Sequence, residues 1–170
     1  TKLRAMARSG SRQGWKQVAA IAAAVAVLVA GIYVFMEWQR NQPGTPVREL
    51  KVGVTSAGQT LEIEPYTVCE LDAECAGGEP PRMTLDERTV TFEVPEDVTA
   101  AGWRLLLIYD DPAANSERVF ASNESSSQEA EAVTESGARL VVGEVSALEI
   151  DKDDAGEETP VIATWSVGFE

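Results

Sequence analysis

Two cysteines, Cys69 and Cys75, are the residues whose type and spacing suggest chemistry most directly. They enclose five residues, three of which are acidic. Both follow a long apolar segment, and disulfides persist on the outer side of a membrane. We therefore expect a bridge that closes a small structural loop. A soft-metal site would need two further ligands, and a reactive thiol pair is disfavoured because the acidic neighbours oppose thiolate formation.

An acidic segment at residues 151–158 partly resembles a calcium-binding loop. Its candidate ligands are Asp151, Asp153 and Asp154. A glycine occupies the sixth position, as in such loops, but the twelfth position is Ile162, where a bidentate glutamate is expected. A solvated hairpin loop is therefore the expected structure, and calcium binding is the alternative.

Histidine is absent from the 170 residues. This removes the commonest general base, the commonest metal ligand and the usual axial haem ligand. Asp110 and Asp111 could form a carboxylate pair for acid–base chemistry, but aspartate before proline also opens turns. No serine, cysteine or lysine lies in a recognisable nucleophile motif. We therefore expect a protein without enzymatic activity and without a cofactor.

The element that precedes these residues is a run of 19 residues without a charge, from Val18 to Met36. As a helix the run would be roughly 28 Å long, close to the bilayer hydrocarbon thickness of about 30 Å. A secretory signal has a shorter apolar region of about 7 to 15 residues. This run continues beyond the small residues at 29–31, where a signal would be cleaved. We therefore expect one transmembrane helix at residues 18–38.

The charges are divided unevenly along the chain. Five basic residues and no acidic residue precede Glu37, so the positive-inside rule predicts a cytoplasmic tail at residues 1–17 and an extracytoplasmic C-terminal domain at the cell membrane. From Glu37 onward there are 28 acidic and nine basic residues, a formal charge of −19. Such a domain repels nucleic acid. It should attract cationic proteins, divalent cations or a basic lipid surface, and a solvated acidic surface that aids solubility is the alternative.

Small side chains gather on one face when the apolar run is placed on a helix. They are Ala19, Ala22, Ala23, Ala26 and Ala30. Small residues let helices approach closely in lipid, so this face could pack against another transmembrane helix. An alanine-rich anchor without a packing partner is the alternative.

The remainder of the chain is predicted to be mainly β. Residues 39–46 contain two prolines and a glycine and indicate a linker. Residues 47–170 are expected to form an immunoglobulin-like β-sandwich of about seven strands, because short alternating segments are separated by turns. The strands expected are a hairpin at 50–63 and segments at 90–94, 103–109, 140–150 and 161–169. Residues 122–137 are predicted to be a loop because they are rich in Ser, Glu and Ala.

Three segments are similar to an actinobacterial family of unknown function. They are Pro65-Tyr66-Thr67-Val68-Cys69, the stretch from Trp103 to Asn115, and Glu158-Thr159-Pro160 with Trp165-Ser166. Members of that family look like single-pass membrane proteins of corynebacteria and mycobacteria with an envelope-facing domain. The resemblance covers nearly the whole chain and implies no catalytic residues.

Together these features predict a non-catalytic accessory subunit of a larger membrane complex, with other transmembrane subunits as partners. In an actinobacterium the respiratory cytochrome bcc–oxidase supercomplex is the candidate, because an acidic outer domain could lie beside a cationic cytochrome c domain. The alternative is a free membrane-anchored module that binds a wall polymer, a lipid or calcium.

Overall fold

The computed structural model describes residues 11–40, 45–71, 73, 75, 77–85, 88–152 and 156–170. The chain divides into two compact units, Thr1–Gly44 and Thr45–Glu170. In the first unit, helix α1 runs from Ser11 to Arg40. Its segment Gln17–Trp38 has a mean hydropathy of 2.6, and it is long and apolar enough to cross a membrane. The unit therefore fits a membrane anchor or a signal sequence.

The second unit is mainly β, as predicted, and its described part contains ten strands and one short helix, α2 (Glu96–Ala101). The strands are β1 (Val52–Ser56), β2 (Gln59–Ile63), β3 (Thr67–Glu70), β4 (Arg82–Met83), β5 (Thr89–Glu93), β6 (Trp103–Tyr109), β7 (Ser116–Phe120), β8 (Ser127–Glu131), β9 (Leu140–Lys152) and β10 (Glu158–Phe169). They form a four-stranded sheet in the order β2-β1-β5-β8 and a six-stranded sheet in the order β3-β10-β9-β6-β7, in which β4 also pairs with β10. The two sheets bury one shared hydrophobic core, so the expected sandwich is confirmed.

The sequence predicted about seven strands, and one of the predicted loops is wrong. Residues 122–137 contain β8, which pairs antiparallel with β5. Only Ala130 of β8 is buried, opposite Val90, so the strand lacks an apolar alternation. It is a strand because β5 offers an unpaired edge, and such tertiary pairing overrides weak intrinsic β-propensity.

Large aromatic side chains from both sheets meet at the centre of the sandwich. Trp165 on β10 is fully buried, and its Nε1 donates a hydrogen bond of 2.9 Å to the carbonyl of Leu50. Phe92 on β5 meets Phe169 on β10 edge to face, with ring centroids 6.5 Å apart. Gly143 on β9 faces the Phe92 ring so closely that an added Cβ would overlap it. The two sheets can therefore pack around Phe92 only because residue 143 has no side chain.

We predict that Gly143→Ala destabilises the sandwich by about 1–3 kcal/mol, because the new methyl group must displace the Phe92 ring. The measurement is urea unfolding of the full chain in detergent, followed by near-ultraviolet circular dichroism. Gly53→Ala on β1 is the matched control, since its added Cβ would lie 3.7 Å from the Cβ of Glu93, an ordinary contact. Equal stability of the two variants would contradict the packing argument.

Candidate functional site

The predicted disulfide is present. Cys69, on edge strand β3, is bonded to Cys75, and their Cα atoms are 5.7 Å apart. Cys69 lies opposite Ile162 in the antiparallel pairing of β3 with β10. The bridge therefore closes a short loop directly after the edge strand of the six-stranded sheet.

The carboxylates that the sequence singled out have local structural roles where the structure describes them. Asp110 accepts a hydrogen bond of 2.9 Å from the backbone N–H of Arg139, and Asp111 accepts one of 2.9 Å from Ala113. Asp111 therefore fixes the turn that begins at Pro112, as the Asp-Pro sequence indicated, whereas Asp110 joins the end of β6 to the segment before β9. Asp151 lies near the end of β9, opposite Thr159.

The calcium hypothesis rests mainly on residues that the structure does not describe. Asp153 and Asp154 lie outside the described residues. Within the described ranges no group of three or more His, Cys, Asp or Glu side chains could hold a metal ion. The alanine face of α1 is exposed within its own unit, so its packing role stays a prediction.

A groove of about 530 Å³ lies on the outer face of the six-stranded sheet, where β6, β7, β9 and β10 run side by side. Apolar side chains line much of it, and three of them are exposed: Val119 (67%), Leu148 (55%) and Ile162 (39%). Leu148 and Ile162 are direct register partners on neighbouring strands. Ile150, also 55% exposed, continues the same face of β9. We call these four residues the outer apolar patch.

Three residues of this patch, Leu148, Ile150 and Ile162, lie where β9 and β10 extend beyond the first residue of β6. β6 begins at Trp103, which pairs with Ala147, so β9 continues beyond β6 from Leu148 to Lys152. Over that stretch β9 pairs with β10. β3 also pairs with β10 at Val161 and Ile162, so this extension has three strands at Leu148 and Glu149 and two strands beyond them. Its outer face carries Leu148, Ile150 and Ile162, and its inner face carries the buried Val161.

One charged side chain lines the groove. Arg104 lies between Ser146 and Val119 in the strand register. Its Nε donates a hydrogen bond of 3.1 Å to Ser146 Oγ, and its Nη1 lies 3.6 Å from Glu117 Oε1. Because this ion pair balances the charge locally, the groove has a mainly apolar surface with a neutral polar edge.

The family described as "Protein of unknown function (DUF2771)" matches residues 45–170, which is the whole second unit. The chain belongs to this family. Comparison with curated proteins and with solved structures gives no match for this chain. Membership of the DUF2771 family agrees with the expected family of unknown function, whereas the actinobacterial origin stays a prediction.

Sequence reasoning did not identify the outer apolar patch of the DUF2771 domain, although one signal was available. The alternation on β10 places Val161, Ala163, Trp165 and Phe169 toward the core, so Ile162 had to face outward. An isolated outward isoleucine is ordinary. Its neighbours Leu148 and Val119 come from distant sequence positions, and only the strand order brings them together.

A second unusual group of the DUF2771 domain is the half-buried carboxyl of Glu149 on β9. Its Oε1 is buried without a hydrogen-bond partner among the described residues. Burial raises the pKa of Glu149 above its ordinary value of 4.5, and the negative charge of Asp97 on α2 raises it further. Ionised Glu149 is therefore a destabilising group in the folded domain.

We predict that Glu149→Gln stabilises the DUF2771 domain at neutral pH. The folded-state pKa is raised, so folding stability should fall as pH rises from the ordinary value of 4.5 through the folded pKa. The amide of the variant cannot ionise, so its advantage should disappear when the pH is lowered below that window. Urea unfolding at several pH values measures this difference. A stability gain that is the same at low and at neutral pH would contradict the explanation. Glu129→Gln, at an exposed position on β8, is the control.

Proposed function

We propose that this protein is a non-catalytic accessory subunit of a larger membrane complex. Helix α1 anchors it, the basic segment before the span keeps the N-terminus in the cytoplasm, and the DUF2771 domain acts on the outer side of the membrane. There the domain docks a partner protein through the groove and the outer apolar patch.

The observation that carries this proposal is the position of the exposed apolar side chains. Single exposed hydrophobic residues are normal on soluble proteins, whereas contiguous ones mark interaction surfaces. In the DUF2771 domain, Leu148, Ile150, Ile162 and Val119 lie on one sheet face beside one groove. Leu148, Ile150 and Ile162 lie where β9 and β10 extend beyond β6, and Val119 lies on β7.

Charge favours a cationic protein as the partner. From Thr45 onward the chain has 27 of the 28 acidic residues and eight of the 14 basic residues, a formal charge of −19. Two copies of this domain would repel each other, whereas a basic protein would be attracted and its association accelerated. A cationic cytochrome c domain, and with it the cytochrome bcc–oxidase supercomplex, is therefore our candidate for the partner.

We predict that Leu148→Thr with Ile162→Thr weakens the association at least about tenfold, because it removes two apolar anchors and retains β-propensity. The full chain is purified in mild detergent, and the proteins that accompany it are quantified by mass spectrometry. Val141→Thr is the control, because Val141 is also exposed (39%) but lies near the opposite end of β9. Equal losses in both variants would remove the support for this surface.

The alanine face gives a second prediction about the same complex. Ala22→Leu with Ala26→Leu should reduce co-purification of transmembrane partners, because branched side chains prevent close helix approach. Ile21→Leu with Leu28→Ile should have little effect and should insert into the membrane equally well. If neither pair alters the proteins that accompany the chain, the span is only an anchor.

A result in which nothing accompanies the unmodified protein would contradict the accessory-subunit proposal. A free envelope-binding module that recognises a wall polymer, a lipid or calcium would then be the better account.

A further inference from the structure

A separate cleft of about 330 Å³ opens between β7 and β8, the edge strands of the two sheets. Two hydrogen bonds frame it. At one end Trp103 Nε1 donates to the carbonyl of Ser125 at 2.7 Å, and at the other the Tyr109 hydroxyl donates to the carbonyl of Glu131 at 2.9 Å. Between them lie Leu105, Leu107 and Ala130, which are themselves buried in the core.

Strand alternation decides which side chains of β7 face this cleft. Leu105 pairs with Arg118 and Leu107 pairs with Ser116, so Arg118 and Ser116 lie on the cleft side of β7. Glu117 lies on the opposite face, where it contacts Arg104.

The same rule applies to β8. Gln128 pairs with Phe92, whose side chain is in the core, so Gln128 also faces the interior. Glu129 and Glu131 alternate with it and face away from the core, and both are among the residues that line the cleft. The amide of Gln128 donates one hydrogen bond to the Glu129 carbonyl and retains a second N–H. The polar side chains that β7 and β8 direct toward the cleft therefore include three hydrogen-bond donors, a hydroxyl, a guanidinium and an amide.

Arg118 is held in place by aromatic rings. Its Cζ lies 5.1 Å from the centroid of the Phe120 ring, which stacks on Trp103 with centroids 4.1 Å apart. This cation–π contact orients the guanidinium without neutralising it. Among the described residues no carboxylate forms an ion pair with Arg118, in contrast to Arg104. A guanidinium that has no ion-pair partner can bind a carboxylate with two hydrogen bonds.

We infer that this cleft binds a small organic carboxylate, with its charged group on Arg118 and its body in the cleft between β7 and β8. The volume is at the lower end of the range of about 300–1,000 Å³ for small-molecule sites. The two ends of the cleft differ, because Glu131 lies beside Tyr109 at the end away from Trp103 and contributes, after burial, to the raised pKa of Tyr109. A cationic ligand would bind at the Glu131 end. Comparing an anionic ligand with a cationic ligand of the same shape therefore tests whether the cleft prefers a carboxylate.

The test uses the full chain in phospholipid nanodiscs and saturation-transfer difference NMR, with empty nanodiscs as the blank. Three probes share one apolar body: 3-phenylpropionate, the neutral 3-phenylpropionamide and the cationic 3-phenylpropylamine. We expect the carboxylate to bind at least about tenfold more tightly than the amide, because the amide loses the charge-assisted hydrogen bonds. An amine that binds as tightly as the carboxylate, or a carboxylate that does not bind at millimolar concentration, overturns the inference.

Variants then locate the site. Arg118→Gln should weaken binding of 3-phenylpropionate about tenfold, and Arg118→Lys, which keeps the charge but loses the planar fork, should also weaken it. Arg139→Gln makes the same charge change at an exposed position outside the cleft and should change the affinity less than about twofold. Unchanged affinity in both Arg118 variants, with the fold verified by circular dichroism, excludes this cleft as the carboxylate site.

Discussion

The antiparallel pairing of β9 with β10 is the interaction on which the rest of the DUF2771 domain depends. It joins eleven residue pairs, from Glu158–Lys152 to Gly168–Val142. Because the register of a strand fixes which face each side chain occupies, this one pairing directs Trp165 and Val145 into the core and Leu148 and Ile162 to the outside. A shift of one residue would exchange the core and the outer surface, so the buried Trp165 enforces the position of the exposed patch.

Alternation also allows one edge strand to serve two surfaces. On β7, Glu117 and Val119 belong to the outer face, where Val119 lines the groove, whereas Ser116 and Arg118 face the cleft between the sheets. The strand is exposed at four of its five positions, so little of its sequence is constrained by the core. An edge strand with this freedom can carry recognition residues on both faces at small loss of folding free energy, and its charged side chains also oppose edge-to-edge aggregation.

The sequence predicts those parts of the fold that depend on local pattern. β6 and β10 are strongly apolar or alternating, and the Ala57–Gly58 turn between β1 and β2 has positive φ at both residues, as a tight hairpin requires. β7 and β8 have no such pattern, because edge strands bury few side chains.

The order of strands across each sheet is not encoded locally. The groove depends on that order, because Val119, Leu148 and Ile162 come together only when β7, β6, β9 and β10 lie side by side. The disulfide could be predicted because the spacing of Cys69 and Cys75 and the expected compartment suffice.

The large negative charge of the domain and its apolar groove act at different distances. Most carboxylates lie on exposed strand faces and loops, where water solvates them and they do not oppose folding strongly. Their combined field acts on an approaching protein before contact. Salt screens this field over a distance of about 8 Å at physiological ionic strength. At contact, the remaining free energy must come from desolvation of apolar surface and from a few local hydrogen bonds. In the proposed complex, charge would therefore select which class of protein reaches the domain, and the residues around Leu148 and Ile162 would determine how long it stays. The ion pair of Arg104 with Glu117 agrees with these separate roles of charge and apolar surface. It neutralises the cation beside a surface that the proposed docking would desolvate.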